Sequence, residues 1–142
     1  MAEYPDQAFM NGKFLPAKEV PVDTADWGQM GWISRPQETQ SKHITQLLVV
    51  LEPGCCHNFH LHPRQEEIIY VLEGEIEQCL GTEKRTLKKG DAVFIGMGTV
   101  HGSFNVATET ARLLAVLAPS VTEAGYELVD VSGEAPWKEL RK

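Results

Sequence analysis

GCCHNFHLHPRQEEIIYVLEG, residues 54–74, decides how this chain is read. It carries two histidines one residue apart, His60 and His62, and a carboxylate five residues further on, Glu67. A glycine stands at each end, and the apolar run IIYVL follows the polar cluster directly. Side chains alternate between the two faces of a β-strand, so His60 and His62 point the same way and Leu61 points away. That geometry lets two imidazoles reach one ion. Glu67 lies an odd number of residues from His62, which would turn it outward on an unbroken strand. Pro63 and the polar residues after it break the strand, and Glu67 then begins the next antiparallel strand facing the same cavity.

Working outward, short apolar or alternating segments recur with turn signals every 8–12 residues, the pattern of an all-β sandwich or barrel. Strands are expected at Trp27 to Ser34, His43 to Leu51, Cys56 to His62 and Glu67 to Leu72. More follow at Glu75 to Leu80, Lys84 to Leu87, Ala92 to Ile95, Gly102 to Val106, Ala111 to Leu117 and Tyr126 to Val131. Turns are read at Pro53-Gly54, Glu73-Gly74, residues 81–83 and residues 89–91. Residues 1–26 hold Pro5, Pro16 and Pro21 and read as an irregular arm with one short strand near Phe14. Tyr4, Phe9, Phe14 and Trp27 suit an arm that pads a sheet. A short helix is expected at Glu134 to Arg141, with Pro136 in its first turn. The expected organisation is therefore an arm at 1–26, a barrel at 27–131 and a tail at 132–142.

The chain has 142 residues and a formal net charge of -7, from 20 acidic and 13 basic residues. One domain of this size buries its own core. The acidic balance argues against a nucleic acid or an anionic membrane as partner. The apolar runs, such as Leu47 to Leu51, are far too short to span a bilayer. The N-terminus lacks the basic start and apolar middle of a signal peptide. Three cysteines, two of them adjacent, imply no disulfide framework. A reduced cytoplasmic protein is the expectation.

The spacing has a second half. Gly54, five residues, His60-x-His62, four residues, Glu67, six residues and Gly74 resembles the first motif of the cupin superfamily. Gly90, DAVFI, Gly96-Met97-Gly98, two residues, His101, three residues and Asn105 resembles the second. Gly96 alone departs, standing where the family usually has proline; this concerns loop rigidity rather than the ligand. Glu66 is a rival to Glu67, but only Glu67 keeps the six-residue spacing to Gly74. The resemblance implies a double-stranded β-helix, or jelly-roll barrel. It implies one divalent metal per chain, held by His60, His62, Glu67 and His101. Nitrogen and oxygen ligands without thiolate suit Fe, Mn, Ni, Co, Cu or Zn. One carboxylate leaves such a centre with a net charge of +1, which favours an anionic or enolate-like ligand. Two positions of an octahedral ion stay open.

Strand parity from His60 and His62 places Asn58 and Cys56 inward and His57 outward. Gln78 is read on the inward side of its strand with Ile76 and Leu80, and Phe94 as apolar wall. Cys56, Asn58, Gln78 and Phe94 are thus the candidate substrate-pocket residues. Asn105 and Asp91 read as turn-shaping residues, and Glu67 as the group that moves a proton. The expected function is oxidation of a small oxygen-bearing molecule by a dioxygenase-type reaction. The alternatives are metal-dependent lyase, decarboxylase or isomerase chemistry, and non-catalytic ligand binding. The resemblance also implies a homodimer.

Overall fold

The computed structural model describes residues 12–141. Tyr4 and Phe9 of the expected arm lie outside the described residues. The rest forms two antiparallel sheets. The larger has the order β1-β2-β3-β10-β5-β8, with β1 Val22–Ala25, β2 Gly28–Ser34, β3 Thr45–Leu51, β10 Ala111–Ala118, β5 Glu66–Glu73 and β8 Ala92–Ile95. The smaller runs β11-β4-β9-β6-β7, with β11 Val129–Asp130, β4 Cys56–Leu61, β9 His101–Phe104, β6 Glu75–Leu80 and β7 Glu83–Lys88. The chain passes repeatedly from one sheet to the other, which is the double-stranded β-helix expected from the motifs. Among the described residues no helix is long and apolar enough to cross a membrane.

The alternation that defines each strand also builds the core. On β3, β5 and β10 every second residue is buried: Leu47, Val49 and Leu51; Ile69 and Val71; Leu113, Ala115 and Leu117. With Trp32, Ile76 and Ile95 they fill the space between the sheets. A second cluster, Phe59, Cys79, Val100, Phe104 and Val131, lies on the outer face of the smaller sheet, with Trp137 packed against it. The C-terminal segment thus gives that sheet a second buried face. Arg141 closes the arrangement by lying over the Phe104 ring at 4.0 Å while pairing with Glu77 at 2.6 Å.

Three turns tie the motifs down. Gly74 has φ +74°, and a Cβ there would sit 2.6 Å from the Thr110 carbonyl oxygen, so both conformation and space require glycine. Asp91 accepts the Lys88 N–H at 2.8 Å through its carboxylate, as a turn residue does. Asn105 is buried and donates from Nδ2 to the carbonyls of Leu51 and Glu109, while its Oδ1 accepts the Ala107 N–H. It staples the end of β9 to the end of β3.

Several expectations at the edges are corrected. Among the described residues no strand forms near Phe14, which is 85% exposed; the described strand of the arm is β1, paired with β2. Pro16 and Pro21 bracket a short 3-10 turn at Ala17–Glu19 and leave 22–25 as the stretch free of proline that can pair. Residues 35–42, between the first two expected strands, contain a one-turn helix, α1 Pro36–Thr39, opened by its proline. The C-terminal helix is shorter than expected, α2 Trp137–Leu140, because Pro136 serves as its N-cap rather than sitting inside it. Phe94 points outward and is 58% exposed, while Val93 and Ile95 face the core. The register pairs Ile95 with Glu67 and Phe94 with Ile68, so β8 takes its phase from β5.

Candidate metal centre

β4 sets the site. The register between β4 and β9 shifts between His57 and His60, which is a β-bulge. One extra residue there reverses the parity counted back from His60. His57 therefore shares the inward side with His60 and His62, and Cys56 packs with Phe59 and Leu61 on the outer face. The expected inward positions of Cys56 and Asn58 and the outward position of His57 are corrected by this bulge. Asn58 is its pivot: its Oδ1 accepts the Phe59 N–H at 2.8 Å, a donor the bulge withdraws from the ladder.

Four side chains then meet. His60 on β4 lies opposite His101 on β9, His62 follows the end of β4, and Glu67 comes across from β5 of the other sheet. Their ligand atoms all lie within 4.8 Å of one another, and all four residues are buried. Glu66, the rival carboxylate, is exposed. Each imidazole is oriented by its other nitrogen. His60 Nδ1 faces the Asn58 carbonyl at 2.6 Å, His62 Nδ1 the Glu127 carbonyl at 2.7 Å, and His101 Nδ1 the Thr99 carbonyl at 3.0 Å. A carbonyl only accepts, so each Nδ1 carries the proton and each Nε2 lone pair is turned inward. The loop carrying His101 is fixed to the first motif, since the Gly98 N–H donates to the His62 carbonyl. A Cβ at Gly96 would meet only Thr99 Oγ1, at 3.6 Å, so the position usually held by proline is uncrowded.

This donor set fits a cation. Glu67 Oε1 lies 2.8 Å from His101 Nε2 and 3.3 Å from His62 Nε2. Yet Glu67 Oε1 and His101 Nε2 are buried without a hydrogen-bond partner. Acceptors facing acceptors in a dry space are costly unless a positive charge lies between them. A divalent ion supplies that charge, and backbone carbonyls on the outer nitrogens are the usual supports of metal-bound histidine. The chain therefore has a three-histidine, one-glutamate group that could hold one metal ion.

Protonation follows the same logic. Burial pushes Glu67 up, but His101 and His62 outweigh it and hold the carboxyl well below the usual range. Burial, then His57 and His101, push His60 well below 6.5. Burial brings His57 down to about 4. Burial would lower His62 too, but hydrogen bonding and charge from Glu67 raise it. In the metal-free protein the unfolded chain takes up protons at His57 and His60 as pH falls through 6.5, while the folded chain refuses them. The contribution of His57 is present above pH 6.5 and is lost toward pH 4, and that of His60 is lost in the same direction. That of His62 runs oppositely, fully present below 6.5 and lost as pH rises through its raised value. Urea midpoints of metal-free protein should fall between pH 6.5 and pH 4; a flat profile would contradict the assigned burial of these rings.

Around the group lie two inner cavities of about 20 and 30 Å³ and an outer cleft of about 400 Å³. Ser103 lines one inner cavity and donates to Gln78 Oε1 at 2.6 Å. Gln78 is thus inward, as expected, but stands one residue behind the wall. Cys56 and Asn58 line the outer cleft with Trp27 and Tyr126. Gln65 is a support the sequence reading missed. Fully buried, it donates to the Pro119 and Gly125 carbonyls and accepts the Glu127 N–H, fixing the segment that orients His62. Nothing in the local pattern distinguishes it from a surface glutamine in a polar loop.

The comparisons with known proteins agree with this geometry. A family model described as a cupin domain matches residues 47–117. Polyketide synthase CurC of Streptomyces cyaneus is 28% identical over 127 residues, 89% of this chain and 81% of its own. Pectin degradation protein KdgF of Dickeya dadantii (strain 3937) is 32% identical over 81 residues, 56% of this chain and 74% of its own. The solved structure of KdgF from Halomonas sp. superposes with a TM-score of 0.69 at 24% identity, covering 80% of this chain and 98% of that one. That likeness speaks to fold. The family match spans β3 to β10, and with them both histidine motifs and all four residues of the inward-facing group, so this chain belongs to the cupin family.

Proposed function

We propose that this protein is a metal-dependent oxidoreductase of the dioxygenase type, acting on a small molecule with two oxygens placed to chelate. The observation that carries the proposal is the convergence of three Nε2 lone pairs and Glu67 beside a cleft of about 400 Å³. A bound divalent ion would polarise the chelating oxygens and, if redox-active, allow electron transfer toward O₂. The chain's own residues do the rest. Glu67 leaves a 2+ centre with one excess positive charge, which favours an enolate or catecholate. Trp27 and Tyr126 give the cleft flat apolar walls. The inner cavities each hold about one water, so bulk solvent is kept from the reacting centre. The name of the Streptomyces relative points to polyketides, whose alternating carbonyls form such chelating pairs, and this supports the substrate class.

A second reading, metal-dependent lyase or isomerase chemistry, is favoured by one observation. His57 is an imidazole in the cavity wall outside the ligand group, suited to exchange a proton with a bound enol. The test loads the protein separately with Fe, Mn, Co, Ni, Cu and Zn and offers catechols, 1,3-diketones and flavonols under an oxygen electrode. Oxygen uptake matched to product formation is expected. Metal-dependent product without oxygen uptake would shift the assignment to the second reading. Binding without turnover under every metal would make the protein a ligand-binding cupin.

A further inference from the structure

We propose that His57 is a movable door between the outer cleft and the ligand group, and that substrate reaches the centre by displacing its ring. The inference rests on reading the four-residue group as a metal centre. Among the described residues, His57 alone borders the outer cleft and both inner cavities. The inner cavities, about 20 and 30 Å³, each admit roughly a water and nothing larger. Glu67 and His101 line only inner space, so a molecule in the cleft meets His57 before it meets them.

How His57 is held separates it from its neighbours. Its ring lies between Trp27, at 4.2 Å and 7° from parallel, and His60, at 3.9 Å and 22°. Among the described residues nothing hydrogen-bonds the His57 ring; it is kept in place by stacking alone. His60 also borders the cleft, but its Nδ1 is pinned to the Asn58 carbonyl at 2.6 Å. Of the two imidazoles that border the cleft, His60 is pinned by a hydrogen bond and His57 is held only by its stacking partners. The bulge at Asn58 is what puts a ring in the doorway. Without the extra residue His57 would face the other side of the sheet. A flat substrate sliding over Trp27 can replace the His57 ring in the stack, so opening costs little aromatic contact.

The test reads metal traffic rather than turnover. Cobalt(II) uptake by metal-free protein and its release to dipicolinate are followed by visible absorption. A door changes both rates by one factor and leaves the dissociation constant unchanged. His57→Ala should speed uptake and release about tenfold each, since a lost stacking contact is worth about one decade in rate. Trp27→Ala should speed both in the same sense. His57→Phe, which keeps a ring in the doorway, should stay near the parent rates. Faster release alone, with weaker binding, would overturn the proposal and make His57 a support for His60. Unchanged rates in His57→Ala, or His57→Phe as fast as His57→Ala, would overturn it too. A parent protein that takes up no cobalt would sink the metal centre itself, and the door with it.

Discussion

His62→Ala should empty the metal site while the barrel stays folded. Parent protein expressed with ample metal should carry one equivalent by elemental analysis. The variant should fall below about a tenth, because losing a ligand costs more than the ten- to hundredfold attributed to an outer support. The geometry makes His62 the informative choice. Its Nδ1 is fixed by the Glu127 carbonyl, and its Nε2 stands 3.3 Å from Glu67 Oε1. Removing the ring takes away one of three convergent lone pairs and leaves His60 and His101 held by their own carbonyl partners. The fold should survive because His62 follows β4 and belongs to neither apolar cluster. The freed Glu127 carbonyl and the vacated volume cost about 1–3 kcal/mol. Part of this is offset in metal-free protein, where crowding of acceptors around Glu67 is relieved. Circular dichroism should show parent-like strand content. Stoichiometric metal in the variant would mean that the ion sits elsewhere.

The two histidine motifs were legible because their information is a count of residues along extended chain. His60 and His62 share a face by the two-residue period, and glycines at fixed distances set where strands stop. That same arithmetic failed one step upstream. Parity counted back from His60 assumes an unbroken ladder, and the bulge adds a residue, so Cys56 and Asn58 exchange places with His57. The trace of it in the sequence is Asn58, whose short amide can take the N–H that a bulge strands, but asparagine sits in many strands without one. Phe94 failed for another reason. AVFI is apolar at every position, so the strand carries no phase of its own and takes it from the pairing of Ile95 with Glu67. The ends of the chain were least legible. A four-residue strand and a one-turn helix are decided by what they pack against more than by local preference.

Phe59→Ala should be among the most destabilising single changes in the chain, and Phe94→Ala among the mildest. Both are phenylalanines on short strands of a barrel wall, and only their surroundings differ. Phe59 is 1% exposed, packs 5.2 Å from Phe104 and lies in the cluster closed by Val131 and Trp137. Truncating it forfeits the ring's burial and leaves a cavity the strand cannot fill, about 3–5 kcal/mol. For a chain of this size that lowers the melting temperature by roughly 10–20 °C. Phe94 is 58% exposed on the outer face of β8, so its loss should stay within about 0.5 kcal/mol. The consequence of Phe59 reaches the site. Its side chain is directed away from the ligands immediately before His60, and its burial holds β4 in the phase that turns His60 and His62 inward. With that anchor gone β4 can slip in register, and a one-residue slip would turn His60 and His62 off the ligand face. Phe59→Ala should therefore also weaken metal binding, although Phe59 is not a ligand, and Phe94→Ala should not. If the two variants melt within a degree or two of each other, the outer cluster does not hold β4, and the phase of the ligand pair must come from the metal or from β9 alone.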